Sequence, residues 1–153
     1  MHLAELNIAR LMYPLDDPLV GEFVRNLDRI NALAERTDGF VWRLKDEGGD
    51  ATAISAFDDP MVIVNLSLWR DAHALEHFVW NTAHKQIYAK RAEWFSAAKM
   101  ENFVMWNVEE GHVPTVDEAR TRLKYLNKHG NSDHAFTWGH LPHVKLWQQA
   151  KCG

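Results

Sequence analysis

His84, Tyr88, Arg91 and Phe95 fall at i, i+4, i+7 and i+11, a spacing that places all four on one stripe of one helix. The stripe borders an apolar one formed by Ala83, Ile87 and Trp94, so it is positioned to line a hollow between that helix and whatever it packs against. In such a hollow His84 could serve as a general base or an axial metal ligand, because an imidazole titrates near neutrality. Tyr88 could donate to a developing oxyanion, and Arg91 could grip a carboxylate or phenolate through two parallel hydrogen bonds. The competing reading is a half-exposed helix edge on which Arg91 pairs with Glu93 or Glu101.

A second group of polar residues alternates along expected strands. Glu5 and Asn7 share one side of the first strand; Asn65, Ser67 and Trp69 share one side of the third; Arg43 and Asn107 are further candidates. If that side is covered by protein, its amides and hydroxyls need partners, since an unpaired buried one costs about 1–3 kcal/mol. A ligand would supply them, as would a network within the protein. His73 and His77, four apart, resemble half of a zinc or copper site, yet no third ligand stands nearby in the sequence. His129, His134, His140 and His143 cluster near the C-terminus without a recognisable ligand spacing.

The elements that must hold these groups follow from periodicity. Leu3 to Met12 alternates as a strand. Asp17 and Pro18 form a helix start, and Val20, Phe23, Val24, Leu27, Ile30 and Ala34 recur at helical spacing until Asp38-Gly39. Phe40 to Lys45 and Met61 to Trp69 read as strands, with a short extended piece from Thr52 to Phe57 between them. Asp71 to about Lys99 is helical in two pieces. Leu75, Phe78 and Val79 mark the first and the His84 stripe marks the second, with a break near Asn81-Thr82. Phe103 to Val108 is a strand, and Thr115-Val116-Asp117-Glu118 has the form of a capping box opening a last helix over 115–128.

The expected fold is therefore α+β: a ferredoxin-like β-α-β-β-α-β domain over residues 1–130, with an antiparallel sheet, helices on one face and an extra C-terminal helix. Residues 131–153 read as a tail with little regular structure. Phe40, Trp42, Trp69, Met105 and Trp106 spread bulk over both sides of the sheet, which points to a second copy covering the face the helices leave open, a homodimer.

Composition bounds the function. The chain has 153 residues, 46% hydrophobic and 25% charged, with a net charge of −4; that balance offers no footprint for nucleic acid. No apolar run is long enough to span a membrane, and no signal-like N-terminus is present, so a cytoplasmic protein is expected. The single cysteine, Cys152, excludes a disulfide framework within one chain. There is no phosphate-binding loop, dinucleotide fingerprint or nucleophile elbow.

The stretches LDRINALAE, GFVWRL, FDDPMVIVNLSLW, HKQIYAKRAEWF and GHVPTVDEARTRL resemble a bacterial family of unknown function, a resemblance that covers roughly residues 2 to 128. That family belongs to the dimeric α/β-barrel superfamily, alongside antibiotic-biosynthesis and haem-degrading monooxygenases. The resemblance implies the fold and a site between helices and sheet. In the haem-degrading branch an asparagine on the first strand and a histidine on the second main helix serve the haem. Asn7 and His84 match these by position, while the branch's tryptophan position falls on Phe78.

Together these readings point to a small-molecule enzyme, monooxygenase-like, acting on an aromatic or polyketide-like substrate. His84, Tyr88 and Asn7 would be catalytic. Arg91, Trp69, Phe78, Asn65, Ser67 and Phe95 would bind substrate, with no cofactor or with haem on His84. A non-catalytic ligand- or haem-binding dimer and a cofactor-free cyclase or isomerase are the alternatives.

Overall fold

The computed structural model describes residues 1–10, 13, 17–18, 21–45, 62–81 and 103–141. Its elements in chain order are β1 (His2–Arg10), α1 (Gly21–Arg36), β2 (Phe40–Arg43), β3 (Val62–Trp69), α2 (Ala72–Asn81), β4 (Phe103–Val108) and α3 (Val116–His129). The extended piece expected over 52–57 and the second helical piece after residue 82 lie outside the described residues. No helix among the described residues is long and apolar enough to cross a membrane.

Alternation in the three long strands dictates a two-sided sheet. The strands are ordered β2-β3-β1-β4, and β1 runs antiparallel to both β3 and β4. This is the ferredoxin-like arrangement expected from the order of elements. Register aligns the sides: Leu3 opposes Trp69, Glu5 opposes Ser67 and Met105, and Asn7 opposes Asn65 and Phe103. These residues share one face because directly opposed side chains point the same way. Leu3, Trp69 and Met105 on that face are buried against Ala34 of α1 and Ala74, Leu75 and Phe78 of α2.

The other face is the apolar half of the alternation: Ala4, Leu6, Val64, Leu66, Leu68, Val104, Trp106 and Val108. α3 covers it with Ala119, Leu123 and Leu126. The expectation of a partner copy rested on this face lying open, whereas α3 of the same chain packs against it. Leu66, Leu68 and Trp106 are each no more than 2% exposed within one chain, so their burial does not call for a second subunit.

The start of α3 shows the capping box half used. Thr115 Oγ1 accepts from the Glu118 backbone N–H at 3.1 Å. The Glu118 carboxylate, however, accepts from the buried Trp106 indole N–H at 2.9 Å and meets His112 Nε2 at 2.7 Å. It thereby satisfies the one polar atom that Trp106 brings into the core, and ties α3 to the sheet.

Part of the segment after α3 is packed on the sheet. Phe136 exchanges two backbone hydrogen bonds with Met105, at 2.8 and 3.0 Å, adding one bridge to the outer edge of β4. Ala135 and Phe136 are buried, and Trp138 stacks on Phe103 with ring centroids 5.8 Å apart.

Between α1 and β2 the chain turns on Gly39, whose φ of +91° is a conformation that L side chains avoid. A β-carbon at this position would collide with that of Ala74 on α2. Gly39→Ala is therefore expected to lower stability by about 1–3 kcal/mol. An unchanged urea midpoint would contradict the close approach of this turn to α2.

Candidate functional site

On the sheet face beneath α1 and α2 the buried polar groups, Glu5 and Ser67, belong to one hydrogen-bonded chain. Trp69 Nε1 donates to Ser67 Oγ at 2.9 Å, and Ser67 Oγ donates to Glu5 Oε1 at 3.2 Å. Asn7 Nδ2 lies 3.2 Å from both Glu5 oxygens. Strand periodicity alone brings these four together: Glu5 and Asn7 are two apart on β1, Ser67 and Trp69 two apart on β3, and register sets Glu5 opposite Ser67. Exposure is graded along the strands. Trp69, Ser67 and Glu5 are buried, Asn7 is half-buried and Asn65 is exposed. The cluster thus opens to solvent at the Asn7–Asn65 end and closes at Trp69.

Aromatic rings flank both ends. Phe78 of α2 stacks on Trp69 at 5.3 Å between centroids, and Phe40 meets Trp69 edge-on at 5.5 Å. At the open end Phe103, opposite Asn7 in register, carries the stacked Trp138. Trp138, placed in the tail by the sequence, thus belongs to the wall beside the cluster.

Glu5 is the group that sequence reasoning placed on this face without giving it a role. Burial pushes its pKa up from 4.5 to about 7, against the smaller lowering effect of the hydrogen bonds from Asn7 and Ser67. Arg43, next to Ser67 on the same row of the sheet, directs its Nε to Glu35 of α1 at 2.8 Å. No cation among the described residues pairs with Glu5. A carboxyl that holds or releases a proton near neutrality can act as acid or base. The signal was present in the sequence as a carboxylate alternating with Leu6 and Ile8, but burial of its side of the strand is a tertiary property.

Of the residues expected at the site, Asn7, Ser67, Trp69 and Phe78 come together here, and Asn65 stands at the exposed end of the same face. His84, Tyr88, Arg91 and Phe95 lie outside the described residues. Asn107 is exposed, as are His73 and His77 on α2. His134 is held by Arg122, whose Nη1 lies 2.9 Å from His134 Nδ1, and His140 pairs with Asp133 at 3.0 Å. Among the described residues no three metal-ligating side chains gather.

The raised pKa of Glu5 sets a sign for stability. A carboxyl that binds its proton more tightly when folded contributes no penalty below about pH 4.5. Stability then falls as pH rises through 4.5 to 7, and levels off above that, with a total cost of about 3 kcal/mol. Glu5→Gln should flatten this decline, so that the variant gains on the wild type between pH 4.5 and 7 in chemical denaturation. Parallel curves for the two proteins would show that Glu5 ionises without penalty.

No curated protein matches the sequence. Among solved structures, a conserved protein from Methanosarcina mazei is similar in fold, with 12% identity, 71% of this chain and 94% of that chain covered, and a TM-score of 0.50. A protein of unknown function from Nitrosomonas europaea has 14% identity, coverage of 74% and 95%, and a TM-score of 0.49. SnoaB, a cofactor-independent oxygenase from Streptomyces nogalater, has 14% identity, coverage of 71% and 94%, and a TM-score of 0.47. The model of the family described as a domain of unknown function, DUF3291, matches residues 2–152, so its extent takes in α3 and the segment beyond it, and the chain belongs to that family.

Proposed function

We propose that the chain is a small-molecule enzyme of the monooxygenase-like kind, acting on an aromatic or polyketide-like substrate at the helix-facing side of the sheet. The observation that carries the reading is the polar chain Trp69–Ser67–Glu5–Asn7 set beside the buried Leu3, Met105 and Phe78. Buried polar groups of this kind are held where orientation of a ligand matters. The rings of Trp69, Phe78, Phe103 and Trp138 suit a flat substrate, and the half-buried Asn7 is placed to hydrogen-bond an oxygen that gains charge during reaction. The superfamily resemblance of the sequence agrees with this location. His84, Tyr88, Arg91 and Phe95, on the stripe that sequence spacing predicts after α2, are proposed to complete the site, with Asn65 and Ser67 on the floor.

His73 and His77 are exposed on α2, so a haem at this site would take its axial ligand from His84. The proposed reaction is the cofactor-free one: a protein group removes a proton from the substrate, Asn7 and Tyr88 stabilise the resulting anion, and the anion reduces dioxygen to a carbon-bound peroxide whose O–O bond then breaks, leaving one oxygen as the product's new carbonyl and the other as water.

Incubation of the protein with polycyclic phenols and anthrones under labelled dioxygen, followed by mass spectrometry, tests this. One labelled oxygen per product is expected, with conversion reduced about tenfold or more in Asn7→Ala. Conversion without label would move the assignment to a cyclase or isomerase. Binding without any conversion would make the chain a non-catalytic module. A Soret band that develops on titration with hemin and disappears in His84→Ala would replace the cofactor-free route.

A further inference from the structure

Of all buried ionisable groups in the described structure, Glu5 has the most defined surroundings, and they leave one position open. A carboxylate offers about four acceptor sites. Ser67 and Asn7 occupy Oε1, and Asn7 alone reaches Oε2. Oε2 therefore retains capacity for one more donor. Asn7 and Ser67 fix the orientation of the carboxylate, and the indole of Trp69 fixes Ser67. Such a chain of donors does more than fill a core, because an apolar residue at position 5 would pack with Leu3 and Met105 and need no partners.

The charged groups around Glu5 are accounted for element by element. On β2, Arg43 is committed to Glu35 of α1. On β3 and β4 the neighbours are Ser67 and Met105, both neutral. On α2 the buried carboxylate is Glu76, which has its own partner. His84 and Arg91 lie outside the described residues. With no cation at hand among the described residues, ionised Glu5 is relieved by one further donor at Oε2, which a neutral O–H supplies.

We propose that Glu5 is the proton acceptor of this site, its Oε2 taking the proton from the acidic O–H of a bound aromatic phenol or enol. The proton moves from the ligand oxygen to the carboxylate; the O–H electron pair stays on the ligand, which is left as its anion. No oxidant enters this step. The inference rests on the small-molecule reading above and assigns to Glu5 the proton removal that the sequence assigned to His84. The position of Glu5 fits that role: it lies buried beside Trp69 and Ser67, and the polar groups of its face continue through half-buried Asn7 to exposed Asn65. Its pKa of about 7 means that at neutral pH a fraction is ionised and ready, while the acid form is stable enough to hold the proton.

A single shared proton has a distinctive consequence. The complex holds one proton between the ligand oxygen and Glu5, so protein that already carries that proton on Glu5 must lose it before a neutral phenol binds. Affinity for a phenol should therefore be level from about pH 9 down to about pH 7 and fall tenfold per pH unit below that. The test is calorimetric or fluorescence titration of the full-length protein with 1-naphthol under argon. Wild type is expected to bind about 30-fold more weakly at about pH 5.5 than at about pH 8. Glu5→Gln is expected to lose this dependence, and Glu5→Asp to keep it with weaker binding. A wild-type profile that is flat over the range overturns the role of Glu5 while leaving the ligand site intact, whether or not the Gln variant folds. Failure of the wild type to bind 1-naphthol at any pH overturns the small-molecule reading and this assignment with it.

Discussion

The carboxylate of Glu5, enclosed between a β-sheet and its helices, is the constraint around which this side of the molecule is organised. Placing it there is unfavourable unless donors surround it, and strand geometry supplies them. Asn7 follows two residues later on the same strand, and Ser67 lies directly across on the neighbouring one. Ser67 in turn accepts from the indole of Trp69. A slip of β3 by one residue would turn Ser67 and Trp69 to the opposite face, stranding the carboxylate and placing Trp69 against α3. Register and site are thus specified by the same contacts.

The opposite face uses the same device at lower cost. Trp106 brings one N–H into the core, and Glu118 reaches it from the first turn of α3 while remaining in contact with His112 near solvent. This carboxylate is partly exposed, which explains why it needs no second set of buried donors. The result is a sheet covered on both sides by its own chain: α1 and α2 over the polar chain, and α3 over an apolar surface. The segment after α3 then returns to β4 through Phe136 and sets Trp138 on Phe103 beside the open end of the site.

Much of this was legible from local patterns. β4 matches its expected limits, β3 ends at Trp69 as expected, and α1 ends just before Asp38-Gly39, because alternation, helical spacing and a glycine at positive φ are properties of short stretches. The hydroxyl of Thr115 caps α3 as its sequence suggests. What was not legible depends on which elements meet. Glu5 looks like any polar residue in an alternating strand until its face is known to be covered. The stretch after α3 reads as irregular, yet Ala135 and Phe136 are buried; no periodicity announces a segment held by two backbone hydrogen bonds. The open sheet face inferred from bulky residues was closed by α3, a contact that spacing along the chain does not encode. The alignment of Asn7, Ser67 and Trp69 followed from parity, whereas the partner uniting them was the residue left without a role.

The account stands on the protonation of one side chain. Selective carbon-13 labelling of glutamate, with the δ-carbon resonance of Glu5 identified by its loss in Glu5→Gln, allows that side chain to be titrated directly by NMR. A midpoint near pH 7 is predicted for the Glu5 resonance. A midpoint near 4.5, the value of an ordinary glutamate, would mean that the carboxyl is solvated as if at the surface. The arrangement described for the helix-facing side of the sheet would then be wrong.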